Sequence, residues 1–185
     1  MVVFLDMDGV LADFAGVVAS LFGRPKSEVE SHGDRVHEAL GATKQEFWGV
    51  IDAAGPEWWE FMKPYPWTGR LIEACRRAGD TYVVSSPPKR CVGAGSGKMA
   101  WLSRFAPQVY KDRKFFLGTD KHLLAAHGRV LVDDDAEKCA AFVAAGGQAA
   151  LFPQPWNIGG LPAGDAQERL LEGIEQRGEF NGRLR

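Results

Sequence analysis

Val2-Val3-Phe4-Leu5-Asp6-Met7-Asp8-Gly9 opens as an unbroken run of β-branched, aromatic and aliphatic residues and ends on two carboxylates. Such a run, bounded by a turn-forming glycine, reads as a strand buried on both faces with its carboxyl end at the acids. Four later segments have the same character: Tyr82-Val83-Val84 before Ser85-Ser86, Lys114–Leu117, Val130-Leu131-Val132 before Asp133-Asp134, and Ala149–Phe152. Helical patterns alternate with them. Leu71, Ile72, Cys75 and Ala78 line one face of a segment stopping at Gly79, and Ala136 to Ala145 stops at Gly146. Leu170, Leu171 and Ile174 follow an expected Asp165-x-x-Glu168 cap and stop at Gly178; caps and terminal glycines of this kind bound helices. Strands alternating with helices give a parallel sheet with right-handed crossovers. The fold class is α/β, doubly wound.

One stretch breaks the alternation. From about Gly16 to Tyr65 no strand candidate occurs, while Ser27-x-x-Glu30 and Thr43-x-x-Glu46 both read as capping boxes. The expectation is a small helical cap, residues 16–65, inserted after the first strand into a core of residues 1–15 and 66–185. Pro64-Tyr65-Pro66 suits an extended hinge returning the chain to that core. At 185 residues the chain makes one domain with a modest insertion. Its 22 Lys and Arg against 24 Asp and Glu give a net charge of −2 and argue against a nucleic-acid polymer as partner, which needs a basic face. Cys75, Cys91 and Cys139 form no CxxC pair and read as reduced thiols. With no basic-led signal peptide and no apolar run near the ~20 residues of a membrane span, a cytoplasmic location without membrane contact is expected.

The strand ends carry the chemistry. In an open α/β sheet, ligands sit in the crevice at the carboxyl ends of the strands. The first strand delivers Asp6 and Asp8, the second Ser85 and Ser86, and the fourth Asp133 and Asp134; Lys121 follows the third in Gly118-Thr119-Asp120-Lys121. Four converging carboxylates repel one another. A hard cation relieves that repulsion, and Mg²⁺ suits a few carboxylates plus a substrate phosphate. Hydroxyl, backbone N–H and lysine groups opposite the metal would bind phosphate oxygens. The reaction these residue types point to is metal-assisted phosphoryl transfer to an aspartate.

Asp6-Met7-Asp8-Gly9-Val10-Leu11-Ala12-Asp13-Phe14 resembles the first motif of the haloacid dehalogenase-like (HAD) phosphohydrolases, whose core is Rossmann-like, and more narrowly that of the 5′(3′)-deoxyribonucleotidase branch. Ser85-Ser86-Pro87 stands where that branch has a Thr/Ser-Ser-Pro turn. Thr119-Asp120-Lys121 resembles its third motif, Leu131-Val132-Asp133-Asp134 its fourth, and Gln154-Pro155-Trp156-Asn157 a string of its bacterial members. The resemblance runs from Met1 to about Asn157. It implies that Asp6 is the nucleophile and that Asp8 is the general acid and base, its backbone carbonyl also facing the metal. It implies further that Asp6, Asp8 and the Asp133-Asp134 pair hold Mg²⁺, without separating Asp133 from Asp134. Ser85, Ser86 and Lys121 would bind phosphate. Asp135 departs from the branch pattern, where Arg-Pro often follows the acidic pair, and reads as a helix N-terminal acid.

The implied activity is dephosphorylation of nucleoside monophosphates, deoxyribonucleotides foremost, through an aspartyl-phosphate, by a monomer or homodimer. The alternative is a related phosphatase acting on another small phosphoester such as a sugar phosphate. The stretch from Phe47 to Trp67 is rich in aromatics (Phe47, Trp48, Trp58, Trp59, Phe61, Tyr65, Trp67). In the resembling branch a cap Phe–Trp pair and the first-motif Phe box the base, which here are Phe47, Trp48 and Phe14. The competing reading is that these side chains are the core of the cap. Gly93-Ala94-Gly95-Ser96-Gly97-Lys98-Met99 fails as a P-loop, because Val92 takes the place of its first glycine and Met99 that of its Ser/Thr. It reads as a loop opening a helix, from which Lys98 could reach a phosphate. His32, His37, His122 and His127 lack metal-ligand company and read as surface residues.

Overall fold

A computed structural model describes residues 1–30, 32, 35–159, 162–178 and 180. Five parallel strands, β1 (Val2–Asp6), β2 (Asp80–Ser85), β3 (Phe115–Leu117), β4 (Arg129–Asp133) and β5 (Gln148–Leu151), form one sheet in the order β3-β2-β1-β4-β5. All five fall on the expected segments, and the α/β assignment holds. The central strand is β1, with Asp6 opposite Val84 of β2 and Leu5 opposite Val132 of β4. The chain passes from β1 outward to β2 and β3, then crosses back to β4. The crevice of a doubly wound sheet therefore opens at the carboxyl ends of β1 and β4, where the aspartates stand.

Alternation along β1 explains why Val3, Phe4 and Leu5 are all buried. Val3 and Leu5 face the larger core, with Leu71, Trp101, Phe152 and Leu171; Phe4 faces the smaller one, with Val84, Leu131 and Phe142. Successive side chains of a strand point to opposite faces, so only a run that is apolar throughout satisfies both. Helix α6 (Thr68–Ala78) ends at Gly79 as expected and buries Leu71, Ile72, Ala74 and Cys75. It packs on α10 (Gly164–Arg177), tied by Arg70 to Glu168 at 2.6 Å and to Glu175 at 2.7 Å. The expected Asp165-x-x-Glu168 cap does not form. The helix starts at Gly164, so Asp165 lies inside its first turn; the N-cap is Ala163, with no side-chain bond, and Glu168 pairs with Arg70. Helix α9 (Ala136–Ala144) joins β4 to β5, and α7 (Ala94–Phe105) with α8 (Pro107–Lys111) joins β2 to β3.

Between β1 and β2 five helices precede α6 and form the cap: α1 (Phe14–Leu21), α2 (Lys26–Glu30), α3 (Val36–Ala39), α4 (Lys44–Ala53) and α5 (Gly55–Glu60). The Thr43–Glu46 capping box is present, its hydroxyl accepting the Glu46 N–H at 3.2 Å and the Glu46 carboxylate accepting the Thr43 N–H at 2.8 Å. The Ser27 box is not. Ser27 lies inside α2, and Glu30 is drawn to Lys26, 3.1 Å away, whose ammonium also reaches Asp13 at 2.9 Å. The chain's exit from the core and its return are stitched together: Asp13 N–H donates to Lys63 at 2.8 Å, Tyr65 N–H to Leu11 at 2.9 Å, and the Trp67 indole to Val10 at 2.9 Å. Among the described residues no helix is long and apolar enough to cross a membrane. The three cysteines are buried and unpaired.

Candidate active site

Asp6, Asp133 and Asp134 converge at the ends of β1 and β4, each offering a carboxylate oxygen within 4.8 Å of the others. They lie on or beside the floor of a cavity of about 510 Å³, whose wall includes Asp6, Asp8, Ser86, Asp134, Lys138 and Trp156. Lys121, just past β3 and 4% exposed, places its ammonium 2.7 Å from both Asp6 Oδ1 and Asp133 Oδ2. Asp6 Oδ1 also accepts the Met7 N–H at 2.7 Å. Asp133 spends both oxygens locally, Oδ2 on Lys121 and Oδ1 on the Asp135 N–H at 3.0 Å. Asp134 is held differently. Its Oδ2 accepts the Trp156 indole N–H at 2.9 Å, and its carbonyl accepts Asn157 Nδ2 at 2.9 Å.

The charges of the cluster work against one another. Burial would raise the Asp6 carboxyl, but the ammonium of Lys121 wins and holds it below the usual carboxylate range. Burial and the neighbouring Asp6 charge push Asp133 up to about 6. Burial, Asp6 and Asp133 together raise Asp134 well above its ordinary value. Desolvation and like charges both disfavour ionisation, so full ionisation of the cluster is opposed by burial and by mutual repulsion. With Asp133 tied up, the Asp6 and Asp134 carboxylates remain as hard oxygen donors beside repelling charge, which fits a small divalent cation and Mg²⁺ in particular.

Asp8 stands apart from that cluster. Its carboxylate is not one of the three converging groups; Oδ2 accepts from the Lys98 ammonium, while the buried Oδ1 has no hydrogen-bond partner. Asp8 itself lines the cavity. A buried carboxylate oxygen left without a donor is costly unless something arrives to use it. Gly9, the next residue, is required twice over. Its φ of +79° lies in the left-handed region, and a Cβ there would come 2.5 Å from Asp134 Oδ2.

Lys98 is a functional candidate that the sequence places only loosely. It is fully buried, bridging the Asp8 carboxylate and Ser85 Oγ, the latter at 2.7 Å, with its ammonium 4.9 Å from the Trp59 ring of the cap. The two serines of the expected phosphate site are placed differently. Ser85 is 1% exposed and committed to Lys98, whereas Ser86 lines the cavity and donates its hydroxyl to the Gly118 carbonyl at 3.1 Å. The P-loop-like glycines have another use: a Cβ on Gly97 would fall on the Pro56 carbonyl and 2.6 Å from Trp59 Cβ. They let α7 pack against α5.

The cap residues separate. Phe14 lines the cavity and sits at the centre of an aromatic group, with ring centroids 6.2 Å from Trp48, 5.7 Å from Trp58 and 6.0 Å from Trp59. Trp48 is half-buried and packs on Phe14 from behind the cavity wall. Phe47 is 2% exposed and stacks on Phe22 at 5.6 Å, inside the cap. The cap side of the cavity is instead lined by Val29, His32, Arg35 and Val36 together with Phe14. His32 is exposed as expected, yet it belongs to this wall. The Gln154–Asn157 string braces the site: Gln154 Nε2 donates to the Gly9 carbonyl, and Trp156 and Asn157 hold Asp134.

Residues 1–161 match the family described as "5′ nucleotidase, deoxy (Pyrimidine), cytosolic type C protein". No curated protein matches the chain significantly. Solved structures match its fold. A protein of Lactobacillus delbrueckii subsp. bulgaricus assigned as a phosphoglycolate phosphatase superposes with a TM-score of 0.61 at 14% identity, covering 94% of this chain and 97% of its own. A HAD family hydrolase of Deinococcus radiodurans R1, solved with phosphate and sodium, gives 0.52 at 16% identity, covering 91% and 86%. YfnB of Bacillus subtilis, assigned as a HAD-hydrolase and solved with magnesium, gives 0.54 at 13%, covering 82% and 86%.

Proposed function

The chain belongs to the 5′ nucleotidase, deoxy (pyrimidine), cytosolic type C family, a family of phosphoric monoester hydrolases in the HAD superfamily, and from that premise we propose that it is a Mg²⁺-dependent phosphatase of nucleoside monophosphates, with deoxyribonucleotides as the preferred class. One observation carries the reading. Three carboxylates converge within 4.8 Å beside a cavity that Asp6, Asp8 and Asp134 line.

Asp6 is the nucleophile. Its contacts with Lys121 and the Met7 N–H both fall on Oδ1, so Oδ2 is the oxygen to attack. Attack on phosphorus, in line with the ester bond, forms the Asp6 O–P bond as the P–O bond to the sugar breaks. Asp8 gives its proton to the departing alkoxide. It then takes a proton from the water whose oxygen displaces Asp6 and releases inorganic phosphate. Lys98 on Oδ2 holds the Asp8 carboxyl in place and leaves Oδ1 for the proton transfers. Lys121 keeps Asp6 ionised.

Asp6 and Asp134, with the Asp8 backbone carbonyl, would hold Mg²⁺; Asp133, both of whose oxygens are bonded, anchors Lys121 instead. When bound, the cation supplies charge neutralisation between these acids and the phosphate. Ser86 binds a phosphate oxygen at the cavity wall by turning its hydroxyl off the Gly118 carbonyl, and Ser85 serves by placing Lys98. Phe14 stacks on the base, with Trp48 behind it and Phe47 as the cap core that carries Trp48. The core of residues 1–15 and 66–185 supplies the chemistry, and the cap of residues 16–65 selects the leaving group.

The test is a hydrolysis screen over deoxynucleoside and ribonucleoside monophosphates and sugar phosphates, with Mg²⁺, with chelator, and with Asp6→Asn. Deoxynucleoside monophosphates should be the best substrates, and chelator or Asp6→Asn should remove at least about a thousandfold of the rate. Full turnover by Asp6→Asn would overturn the mechanism. A preference for sugar phosphates would overturn the substrate class.

A further inference from the structure

Among the described residues, the cavity that must accept a phosphate dianion is lined by five acids, Asp6, Asp8, Asp134, Asp135 and Glu137, against two basic side chains of full charge, Arg35 and Lys138. The lysines closest to the reaction are already committed. Lys121 is locked between Asp6 and Asp133, and Lys98 between Asp8 and Ser85; neither is on the cavity wall. At the start of α9 the Asp135 carboxylate already takes the Glu137 and Lys138 N–H groups, at 2.9 and 3.1 Å, which leaves few backbone donors for a phosphate.

Lys138 is different. It is on the wall, in the first turn of α9, and its ammonium rests 3.2 Å from the other oxygen of Asp135 in a pair whose side chains are 37% and 35% exposed. An exposed pair at this spacing holds little energy, whereas a charge-assisted bond to a phosphate oxygen is among the stronger polar contacts. We propose that Lys138 is the substrate-binding cation for the phosphate, leaving Asp135 for a phosphate oxygen when the phosphomonoester enters. Asp135 thus does two jobs with two oxygens, capping α9 through Oδ1 and holding Lys138 in waiting through Oδ2. Partial burial would lower the Lys138 ammonium, but Asp6, Asp133, Asp135 and Asp134 outweigh it and keep it charged throughout the working range. Arg35 reaches the wall from the cap, at the start of α3, and belongs to the leaving-group side.

This inference rests on the phosphatase reading but is tested apart from turnover. Inorganic phosphate is titrated calorimetrically, in MgCl₂, into wild type, Lys138→Ala, Lys138→Arg and Arg35→Ala. Circular dichroism melting checks that each variant is folded. Lys138→Ala should weaken phosphate about tenfold or more, and Lys138→Arg should stay within about threefold. Asp135→Asn, which can still cap α9, should tighten phosphate in the wild-type background and not in Lys138→Ala, the mark of a coupled pair. With substrate, Lys138→Ala should raise KM in the same proportion and change kcat by less than about threefold. Phosphate affinity in Lys138→Ala within twofold of wild type, or a loss seen only in Arg35→Ala, overturns the assignment. A wild type that binds phosphate through Lys138 and yet hydrolyses no phosphomonoester would instead overturn the phosphatase reading.

Discussion

Removing metal and lowering pH should act on this protein in an unusual direction. Asp133 is wholly buried, and burial with the Asp6 charge moves its carboxyl from 3.8 to about 6. A carboxyl whose folded pKa is raised binds more protons folded than unfolded, so it stabilises the fold fully below its unfolded value and loses that stabilisation as pH rises through about 6. A shift of about 2 pH units is worth about 3 kcal/mol in the acid limit and about 1 kcal/mol already at pH 5. Asp134 shifts in the same direction. Asp6 has the opposite sign, but its depressed pKa places its loss of stability below 3.8, outside the window. In chelator, urea unfolding should therefore give a more stable protein at pH 5 than at pH 8, by about 0.3–0.5 M in midpoint for a slope of about 2–3 kcal/mol/M. Mg²⁺ reverses the order, because it binds the ionised carboxylates and gains most at pH 8; at 100 times its dissociation constant it adds about 2.7 kcal/mol. Metal-free stability that falls steadily from pH 8 to pH 5 would refute the charge-repulsion argument, as would a Mg²⁺ increment of equal size at both pH values.

Three substitutions probe the supports of the site. Trp156→Phe keeps the packing but removes the indole bond to Asp134 Oδ2; kcat should fall about 10- to 100-fold and apparent Mg²⁺ affinity with it, while the urea midpoint barely moves. Gly97→Ala forces a methyl onto Pro56 and Trp59, an overpacking worth about 1–3 kcal/mol in urea unfolding. Phe14→Ala removes the one ring both on the cavity wall and among the Trp48, Trp58 and Trp59 rings. It should raise KM for deoxynucleotides about tenfold or more, in line with a stacking contact of about 1–3 kcal/mol, while leaving an aryl phosphate within about twofold.

What could be read from the sequence was what is encoded locally. Each strand is a short apolar run, and β1, β2 and β4 each stop at the polar pair they deliver, so sheet, crevice and acidic cluster followed from spacing alone. Lys98 lies 90 residues from Asp8, in a glycine-rich run whose local pattern suits a phosphate loop. Only the packing of α7 on α5 shows that those glycines serve close helix contact and that the lysine is buried. The inward turn of Ser85 was illegible for the same reason, since nothing in Ser85-Ser86 says which hydroxyl meets Lys98. Phe47, Trp48 and Phe14 are one apolar pattern to a sequence reading, because a cap core and a ligand wall demand the same residue types. Two expected helix caps failed where the helix begins ahead of the expected cap residue, and a distant or neighbouring cation, Arg70 or Lys26, pairs with the glutamate.

The account turns on Asp6 as the atom donor to phosphorus. Wild-type enzyme mixed with a radiolabelled deoxynucleoside 5′-monophosphate and Mg²⁺, quenched in acid within one turnover and digested, should yield label on the peptide containing Asp6, absent in Asp6→Asn and lost on treatment with hydroxylamine. Rapid phosphate release with no labelled enzyme at any quench time, or label on another residue, would contradict it.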